Sequence, residues 1–280
     1  MRIGAVNYLN SKPLVYGLEA LAPEVRLTFD LPSRLADSLA AGRLDLALVP
    51  TVEYFRAEGY SIVSDACVAC CGPVLSVKLY FRVPPREVRR VALDEGSRTS
   101  AALTQILLAE LCDVRPRFEP LPIGCGLDSS DADAVLLIGD RAIANREQGE
   151  ESTVHGVKSS ECEIWDLGER WCQWTGLPFV FAMWIARPGF QAVEVAPILN
   201  AARDDGVRHA RLIAARESGA IGISTGLAVR YLCENLHFRL GRKERDGLRA
   251  FYELCITHGL APSGLEPTLE RYTDYGYAAK

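Results

Sequence analysis

Apolar and polar residues alternate with two different periods along the first third of the chain, which predicts strands and helices in turn. Residues 2–9 form a largely apolar run, and residues 25–31 alternate apolar with polar positions, as a half-buried strand does. Ser33 then caps an amphipathic helix that Gly42 ends. Residues 44–49 are typical of a buried strand, so the order predicts a parallel α/β sheet with right-handed crossovers.

A second α/β pattern follows a long β-rich segment at residues 74–83, which two prolines end. Its predicted elements are a strand at 91–93, a helix opened by Ser97, and strands at 117–121 and 131–140. After a polar stretch at 144–160, which predicts a loop or a ragged helix, come a long strand at 179–186 and helical patterns at 195–218, 227–236 and 242–258.

Two long strands, at 74–83 and 179–187, carry the predicted chain from the first α/β unit to the second and back. The second unit, residues 84–186, is therefore inserted into the first, which consists of residues 1–83 and 187–280. Two lobes joined by two strands form a hinge with a cleft, and such clefts are preferred sites for small molecules. We predict a two-lobed α/β fold with its ligand site between the lobes.

Charge and hydropathy argue against several classes of partner. The 280 residues carry a net charge of −5 without runs of Lys and Arg, which argues against nucleic acid or an anionic membrane surface. The chain has no apolar run of about 18 residues, and its opening residues lack the layout of a signal peptide. We therefore expect a cytoplasmic protein that acts on a small molecule, and the oligomeric state stays open.

Nine cysteines are scattered along the chain, which fits reduced thiols better than a disulfide framework. Cys67, Cys70 and Cys71 form a Cys-x-x-Cys-Cys cluster, but a zinc site needs two further ligands at compatible spacing. The four histidines form no His-x-x-His pair. We favour buried structural thiols at this cluster over metal or redox chemistry.

Ligands of parallel α/β sheets bind beyond the carboxyl ends of the strands, near helix N-termini. Segments 8–11, 97–100 and 138–140 meet this condition in the predicted fold, and Ser76 lies on the first crossing strand. The segment 97–100, Ser-Arg-Thr-Ser, offers three hydroxyls, a guanidinium and helix-start amides that can converge on a carboxylate or a phosphate.

Each of these positions also has a purely structural interpretation. Ser97 and Asn10 can be helix caps, Ser76 an ordinary strand hydroxyl, and Asp140 the cap of the following helix. The chain contains no glycine-rich phosphate loop and no Gly-x-Ser-x-Gly elbow. No histidine falls in the predicted cleft-lining segments, so a nucleophilic triad cannot be assembled.

Six blocks of sequence occur in an order that resembles one protein family. The blocks are RIGAVNYLNSKPL at 2–14, LDLALVPTVEY at 44–54, VLSVKLYFR at 74–82, GSRTSAALTQILL at 96–108, ADAVLLIGDRAI at 132–143 and WDLGERWCQWTGLPFVFAMW at 165–184. Together they resemble the MqnA-type chorismate dehydratase family of futalosine-dependent menaquinone biosynthesis. The resemblance extends from residue 2 to about residue 258.

The resemblance implies a type II periplasmic-binding-protein-like fold, no metal or organic cofactor, and loss of water from the dianion chorismate to give 3-[(1-carboxyvinyl)oxy]benzoate. It places the family's catalytic asparagine at Asn10. With the segments above, the candidate substrate-binding residues are Ser11, Ser76, Ser97, Arg98, Thr99, Ser100, Gly139, Asp140, Leu177 and Pro178.

For the reaction that the resemblance implies, we hypothesise a stepwise elimination through a carbanion. Removal of the C3 proton pushes negative charge into the ring carboxylate, which hydroxyls and amides at segment 97–100 would stabilise. The base is either the enolpyruvyl carboxylate of the substrate or Asp140, and Asn10 would orient that carboxylate or the C4 hydroxyl. Rival interpretations are a non-catalytic binding protein of the same fold, the sister family that makes dihydroxynaphthoate, and an unrelated interaction module.

Overall fold

The computed structural model describes residues 1–147, 163–192 and 194–264, and it contains two β-sheets. The first sheet has six strands in the spatial order β11-β4-β10-β3-β1-β2. These strands are β1 (Arg2–Val6), β2 (Arg26–Asp30), β3 (Leu46–Pro50), β4 (Ser61–Cys70), β10 (Phe179–Ala186) and β11 (Leu236–Arg239).

The second sheet has five strands in the order β7-β6-β8-β5-β9. They are β5 (Val77–Phe81), β6 (Arg90–Asp94), β7 (Arg117–Leu121), β8 (Ala134–Ile138) and β9 (Ile164–Asp166). We call the parts of the chain built on the first and second sheets lobe 1 and lobe 2.

Helices connect the strands and cover the sheets. The α-helices are α1 (Leu18–Leu21), α2 (Pro32–Ala40), α3 (Thr51–Tyr54), α4 (Arg98–Cys112), α5 (Asp140–Glu147), α6 (Leu167–Thr175), α7 (Ala196–Arg208), α8 (Ala210–Ile221), α9 (Thr225–Arg230) and α10 (Arg242–Thr257). Short 3-10 helices occupy Leu9–Val15, Pro85–Glu87 and Leu127–Ser129, and Tyr231–Asn235 form a π-helical turn.

Strand pairing confirms the predicted two-lobed α/β class. In lobe 1, β1 pairs in parallel with β2 and β3, and in lobe 2, β6 pairs in parallel with β7 and β8. Each parallel set is extended by antiparallel strands, β10 in lobe 1 and β5 in lobe 2. The carboxyl ends of the parallel strands are therefore where helices begin and where ligand groups gather.

The prediction of two long crossing strands is wrong. Among the described strands, the segment predicted at 74–83 forms β5, which pairs with strands of the second sheet, and the segment at 179–187 forms β10, which pairs with strands of the first. The chain instead passes between the sheets through residues 71–76 and through α6 and the residues that follow it. The division into lobes stays a prediction, and we propose that its boundaries lie in these two passages, not at 84 and 186.

Other elements also depart from the sequence pattern. The first predicted helix begins at Pro32 with Leu31 at the N-cap position, because proline is favoured in the first turn, so Ser33 is not the cap. The pattern at 195–218 breaks at His209 into α7 and α8. The helix predicted at 227–236 ends in the π-helical turn before β11. Residues 148–160 of the predicted polar loop lie outside the described residues.

Candidate active site

A cavity lies between the two lobes. Lobe 1 contributes the ends of β1 and β3, and lobe 2 contributes the end of β8 and the start of α4. The lining residues are Val6, Tyr8, Asn10, Pro32, Leu48, Pro50, Val68, Val74, Ser76, Val77, Ser97, Ser100, Ile138, Gly139, Phe181 and Ala182. The cavity therefore has apolar walls with a few polar side chains placed among them, which is the usual build of a small-molecule site.

No charged side chain is present among these lining residues. The polar groups are the Asn10 amide and the hydroxyls of Tyr8, Ser76, Ser97 and Ser100. All of them can donate a hydrogen bond, so the site can bind an anion without a cationic partner.

Asn10 is not a helix cap. It lies inside the 3-10 helix Leu9–Val15, whose N-cap position belongs to Tyr8. The neighbouring Ser11 is completely buried, and its hydroxyl donates to the carbonyls of Val6 and Tyr8, the latter at 2.8 Å. Ser11 therefore ties the end of β1 to the helix and does not line the cavity, whereas Asn10 does.

Ser97 is both the predicted cap and a cavity residue. Its Oγ accepts a hydrogen bond from the Ser100 amide at 3.2 Å and donates to Ser100 Oγ at 2.7 Å. With its oxygen already accepting from Ser97, the Ser100 hydroxyl is polarised to donate into the cavity. The first turn of α4 adds amides without intrahelical partners and the positive end of the helix dipole.

Arg98 and Thr99 turn away from the cavity. The Arg98 guanidinium contacts Asp37 Oδ1 at 2.6 Å and Glu53 Oε2 at 3.1 Å. Thr99 Oγ1 accepts a hydrogen bond from the Val52 amide at 3.1 Å. Both residues therefore join α4 of lobe 2 to helices of lobe 1, and they do not contact the cavity as the sequence had suggested.

Gly139 lines the cavity and approaches lobe 1 closely. Its φ of +69° favours glycine, and a Cβ there would lie 2.8 Å from Tyr8 Cζ. Asp140 begins α5, and its Oδ1 accepts a hydrogen bond from the Leu9 amide at 3.0 Å. Burial raises the pKa of Asp140 to about 6, and the Leu9 amide opposes this rise. Asp140 does not line the cavity.

Leu177 and Pro178 lie in the passage between α6 and β10 and do not line the cavity. The Pro178 carbonyl accepts a hydrogen bond from Trp171 Nε1 at 3.2 Å. Gly247 on α10 packs against the same carbonyl, so this segment is held by packing between the lobes.

Two tyrosines were missed by sequence reasoning. Tyr8 lines the cavity, and burial together with the nearby carboxylates raises its pKa to about 12. Tyr231 is completely buried, and its hydroxyl faces Ser76 and Asn10. Tyr8 lies in the segment 8–11, two residues before Asn10, but was assigned no role there, and no local signal connects Tyr231 to Ser76 and Asn10, which lie more than 150 residues away along the chain.

None of the three clustered cysteines lines the cavity. Cys67 and Cys70 are buried in β4, and burial raises the pKa of both thiols. Cys71 is exposed, with its Sγ 3.5 Å from Cys172 Sγ. Within the described residues, no group of three or more His, Cys, Asp and Glu side chains is arranged to hold a metal ion. Cys162 and His155 lie outside the described residues.

No helix in the described part of the chain is both long and apolar enough to cross a membrane.

Solved structures with similar folds are numerous. A protein from Archaeoglobus fulgidus superposes with a TM-score of 0.67 at 16% identity, covering 92% of this chain and 97% of that one. The alkanesulfonate-binding protein of Xanthomonas axonopodis gives 0.58 at 15% identity, with 94% of both chains covered. A Candida albicans protein described as having the generic periplasmic binding protein fold gives 0.55 at 12% identity, with 94% and 91% covered.

The fold therefore defines a protein of the periplasmic-binding-protein-like class. A family model described as menaquinone biosynthesis matches residues 1–257. The chorismate dehydratase of Thermus thermophilus is 35% identical over 260 residues, which cover 90% of this chain and 93% of that protein. This chain belongs to the menaquinone biosynthesis family.

Proposed function

We propose that the protein is a chorismate dehydratase, a hydro-lyase that converts chorismate into 3-[(1-carboxyvinyl)oxy]benzoate in futalosine-dependent menaquinone biosynthesis. The observation that carries the proposal is that Asn10, Ser76, Ser97 and Ser100 meet in one cavity of a chain from this family. We place the reaction in the cytoplasm, where the free thiols of the described cysteines would persist.

The chemistry of the cavity lining supports a compact carboxylated ring as the ligand. Val68, Ile138 and Phe181 offer apolar surface to the ring, whereas Asn10 and the serines offer donors to carboxylates. In this proposal the ring stacks among the apolar residues and its carboxylates face the two groups of donors.

The start of α4 is the proposed seat of the ring carboxylate. Loss of the C3 proton moves an electron pair through the ring into this carboxylate. The Ser100 hydroxyl, the first-turn amides and the helix dipole all favour negative charge there. Collapse of that charge then breaks the C4–O bond and makes the ring aromatic, and the departing hydroxide takes the former C3 proton from the base and leaves as water.

The substrate itself is the proposed base. The cavity residues include no His, Lys, Asp or Glu that could take the C3 proton. Asp140 points its Oδ1 at the Leu9 amide and does not line the cavity. We therefore assign proton removal to the enolpyruvyl carboxylate, which Asn10 and Ser76 hold over C3 as hydrogen-bond donors.

The proposal is tested by incubating the purified protein with chorismate and following the aromatic product, whose mass is one water lower, by liquid chromatography and mass spectrometry. Ser76→Ala should slow turnover strongly. Ser64→Ala is the control and should not slow turnover, because Ser64 lies on β4 and its hydroxyl donates to Asn200 Oδ1 at 2.7 Å. Tight binding without product would instead support a non-catalytic binding protein of the same fold.

A further inference from the structure

Tyr231 presents a buried hydroxyl to the floor of the cavity. The side chain is completely buried, and its oxygen makes no hydrogen bond of good geometry within the described residues. The polar groups that face it are the side chains of Ser76 and Asn10, both of which line the cavity. In the proposed function, these same two residues hold the enolpyruvyl carboxylate of the substrate.

A phenylalanine would fill this position without leaving a buried polar group. Buried hydroxyls are nearly always satisfied because an unmade hydrogen bond is costly, so an unsatisfied one needs an explanation. The backbone around Tyr231 is also unusual, since it opens a π-helical turn closed by a hydrogen bond from the Leu236 amide to the Tyr231 carbonyl. Turns of this kind are rare and concentrate at functional sites.

We propose that Tyr231 is a positioning residue of the elimination, acting through Ser76 and Asn10. A tyrosine hydroxyl has one proton to donate and can accept in return. When the substrate is bound, the Tyr231 hydroxyl would donate to Ser76 Oγ and accept from Asn10 Nδ2, which leaves the Ser76 proton and the second Asn10 N–H directed into the cavity. This proposal rests on the proposed function, because it supplies the donor orientation that an anionic substrate requires.

The hydroxyl keeps its own proton throughout. Burial raises the pKa of Tyr231 well above its usual range. It therefore orients its neighbours and does not transfer a proton to the substrate. Without it, the Ser76 hydroxyl and the Asn10 amide are free to rotate, and each can present a lone pair to the carboxylate in place of a proton.

Tyr231→Phe removes only the hydroxyl and tests this role. With chorismate, we expect kcat to fall about tenfold to a hundredfold, as a small misplacement of reacting groups does, while KM changes less. The melting temperature of the substrate-free protein should not fall, since the hydroxyl makes no hydrogen bond of good geometry there. Tyr252→Phe is the matched control, because Tyr252 is also buried and its hydroxyl donates to the Pro262 carbonyl at 3.3 Å. Tyr252 does not line the cavity, so the kcat of this variant should stay at the wild-type value.

A second variant separates positioning from packing. In a Ser76→Ala background, Tyr231→Phe should reduce kcat further by less than threefold, because one target of the hydroxyl is already gone. A kcat of Tyr231→Phe within twofold of the wild type overturns the inference, as does an undiminished effect in the Ser76→Ala background. Wild-type protein that forms no product from chorismate contradicts the proposed function itself, whereas an active wild type with a fully active Tyr231→Phe contradicts only the role of Tyr231.

Discussion

At the scale of single residues, Asn10 is the group on which the proposed chemistry depends most. It lies in the first turn of the helix after β1, at the edge of a cavity without charged side chains. An amide has no basic pKa in the physiological range, so it can orient a carboxylate but cannot accept the C3 proton. Its neutrality is therefore as important as its hydrogen-bonding capacity.

Asn10→Asp should weaken the binding of chorismate and slow its turnover. The substitution places a carboxylate beside a dianion, and we expect a cost of at least about 1.4 kcal/mol, or about tenfold in Kd. Calorimetric titration and initial rates measure the two effects. Asn7→Asp is the control, since Asn7 is exposed and bonded to Lys12 Nζ at 3.0 Å outside the cavity. If the Asn10→Asp protein and the wild type had equal Kd values and equal rates, Asn10 would have no role in binding or turnover.

Asp140→Asn should retain turnover close to the wild-type rate. The asparagine Oδ1 can still accept from the Leu9 amide, and only a base would lose its function. A fall in kcat of about a hundredfold or more would instead restore Asp140 as the base.

The same variant should change how stability depends on pH. Burial raises the pKa of Asp140 to about 6 in the folded protein, above its unfolded value. The folded state therefore holds the proton more tightly, and the group lowers the unfolding free energy as pH rises from about 4 to about 6, by on the order of 3 kcal/mol. Chemical denaturation between pH 4 and pH 6 should show no such fall in the unfolding free energy of Asp140→Asn. If the fall persisted in this variant, the Asp140 carboxyl would not be its cause.

Segment 97–100 shows how far residue-level prediction reaches. The sequence placed all four residues at the site, but only Ser97 and Ser100 line the cavity. Positions three apart share a helix face, whereas successive residues point about 100° apart. The spacing separates the two serines from Arg98 and Thr99, but only the packing of α4 against lobe 1 decides which face meets the cavity.

At the scale of elements, the start of α4 combines a structural and a proposed functional task. Ser97 caps the helix and supports the hydroxyl of Ser100. Because α4 is 15 residues long, its dipole favours negative charge at this end. The element would thus supply the electrostatic stabilisation that the elimination needs.

Ser97→Ala should lower the unfolding free energy by about 1 kcal/mol and also raise KM for chorismate several-fold. Ser224→Ala is the matched control, because Ser224 caps α9 by accepting from the Leu227 amide at 3.2 Å and does not line the cavity. We expect similar losses of stability in chemical denaturation and a changed KM only for Ser97→Ala. A KM shift shared by both variants would show that general destabilisation is the cause.

Elements with a clear local pattern were predictable, and those defined by pairing were not. The strand at 117–121 and the Ser97 cap agree with the sequence prediction. Strand β4 was missed because it lies between β10 and β11 and is almost wholly buried, so it shows no alternation of polar and apolar positions. The assignment of β5 and β10 to sheets depends on long-range pairing that local periodicity does not encode.

At the scale of the whole molecule, several contacts bring the lobes together around the cavity. The Leu9 amide bonds Asp140, the Val52 amide bonds Thr99, and Arg98 pairs with two carboxylates of lobe 1. A closed cleft excludes water and strengthens every hydrogen bond inside it. The residues around the cavity are thus divided between those that face the ligand and those that hold the lobes together.

Arg98→Gln should loosen closure with little effect on global stability. Its ion pairs are partly exposed and are worth less than about 1 kcal/mol to folding, but they join α4 of lobe 2 to helices of lobe 1. We expect a several-fold higher KM and a larger radius of gyration by small-angle X-ray scattering without substrate. Arg208→Gln, which breaks an ion pair within α7, is the control. Unchanged KM and radius would show that Arg98 does not support closure.

Proton NMR of chorismate mixed with a catalytic amount of the purified protein tests the proposed dehydratase activity most directly. We expect the chorismate resonances to disappear over many turnovers while the aromatic resonances of 3-[(1-carboxyvinyl)oxy]benzoate grow in equal amount, at a rate that Asn10→Asp reduces and Asn7→Asp does not. Chorismate that remains intact while it binds saturably to the protein would contradict this activity.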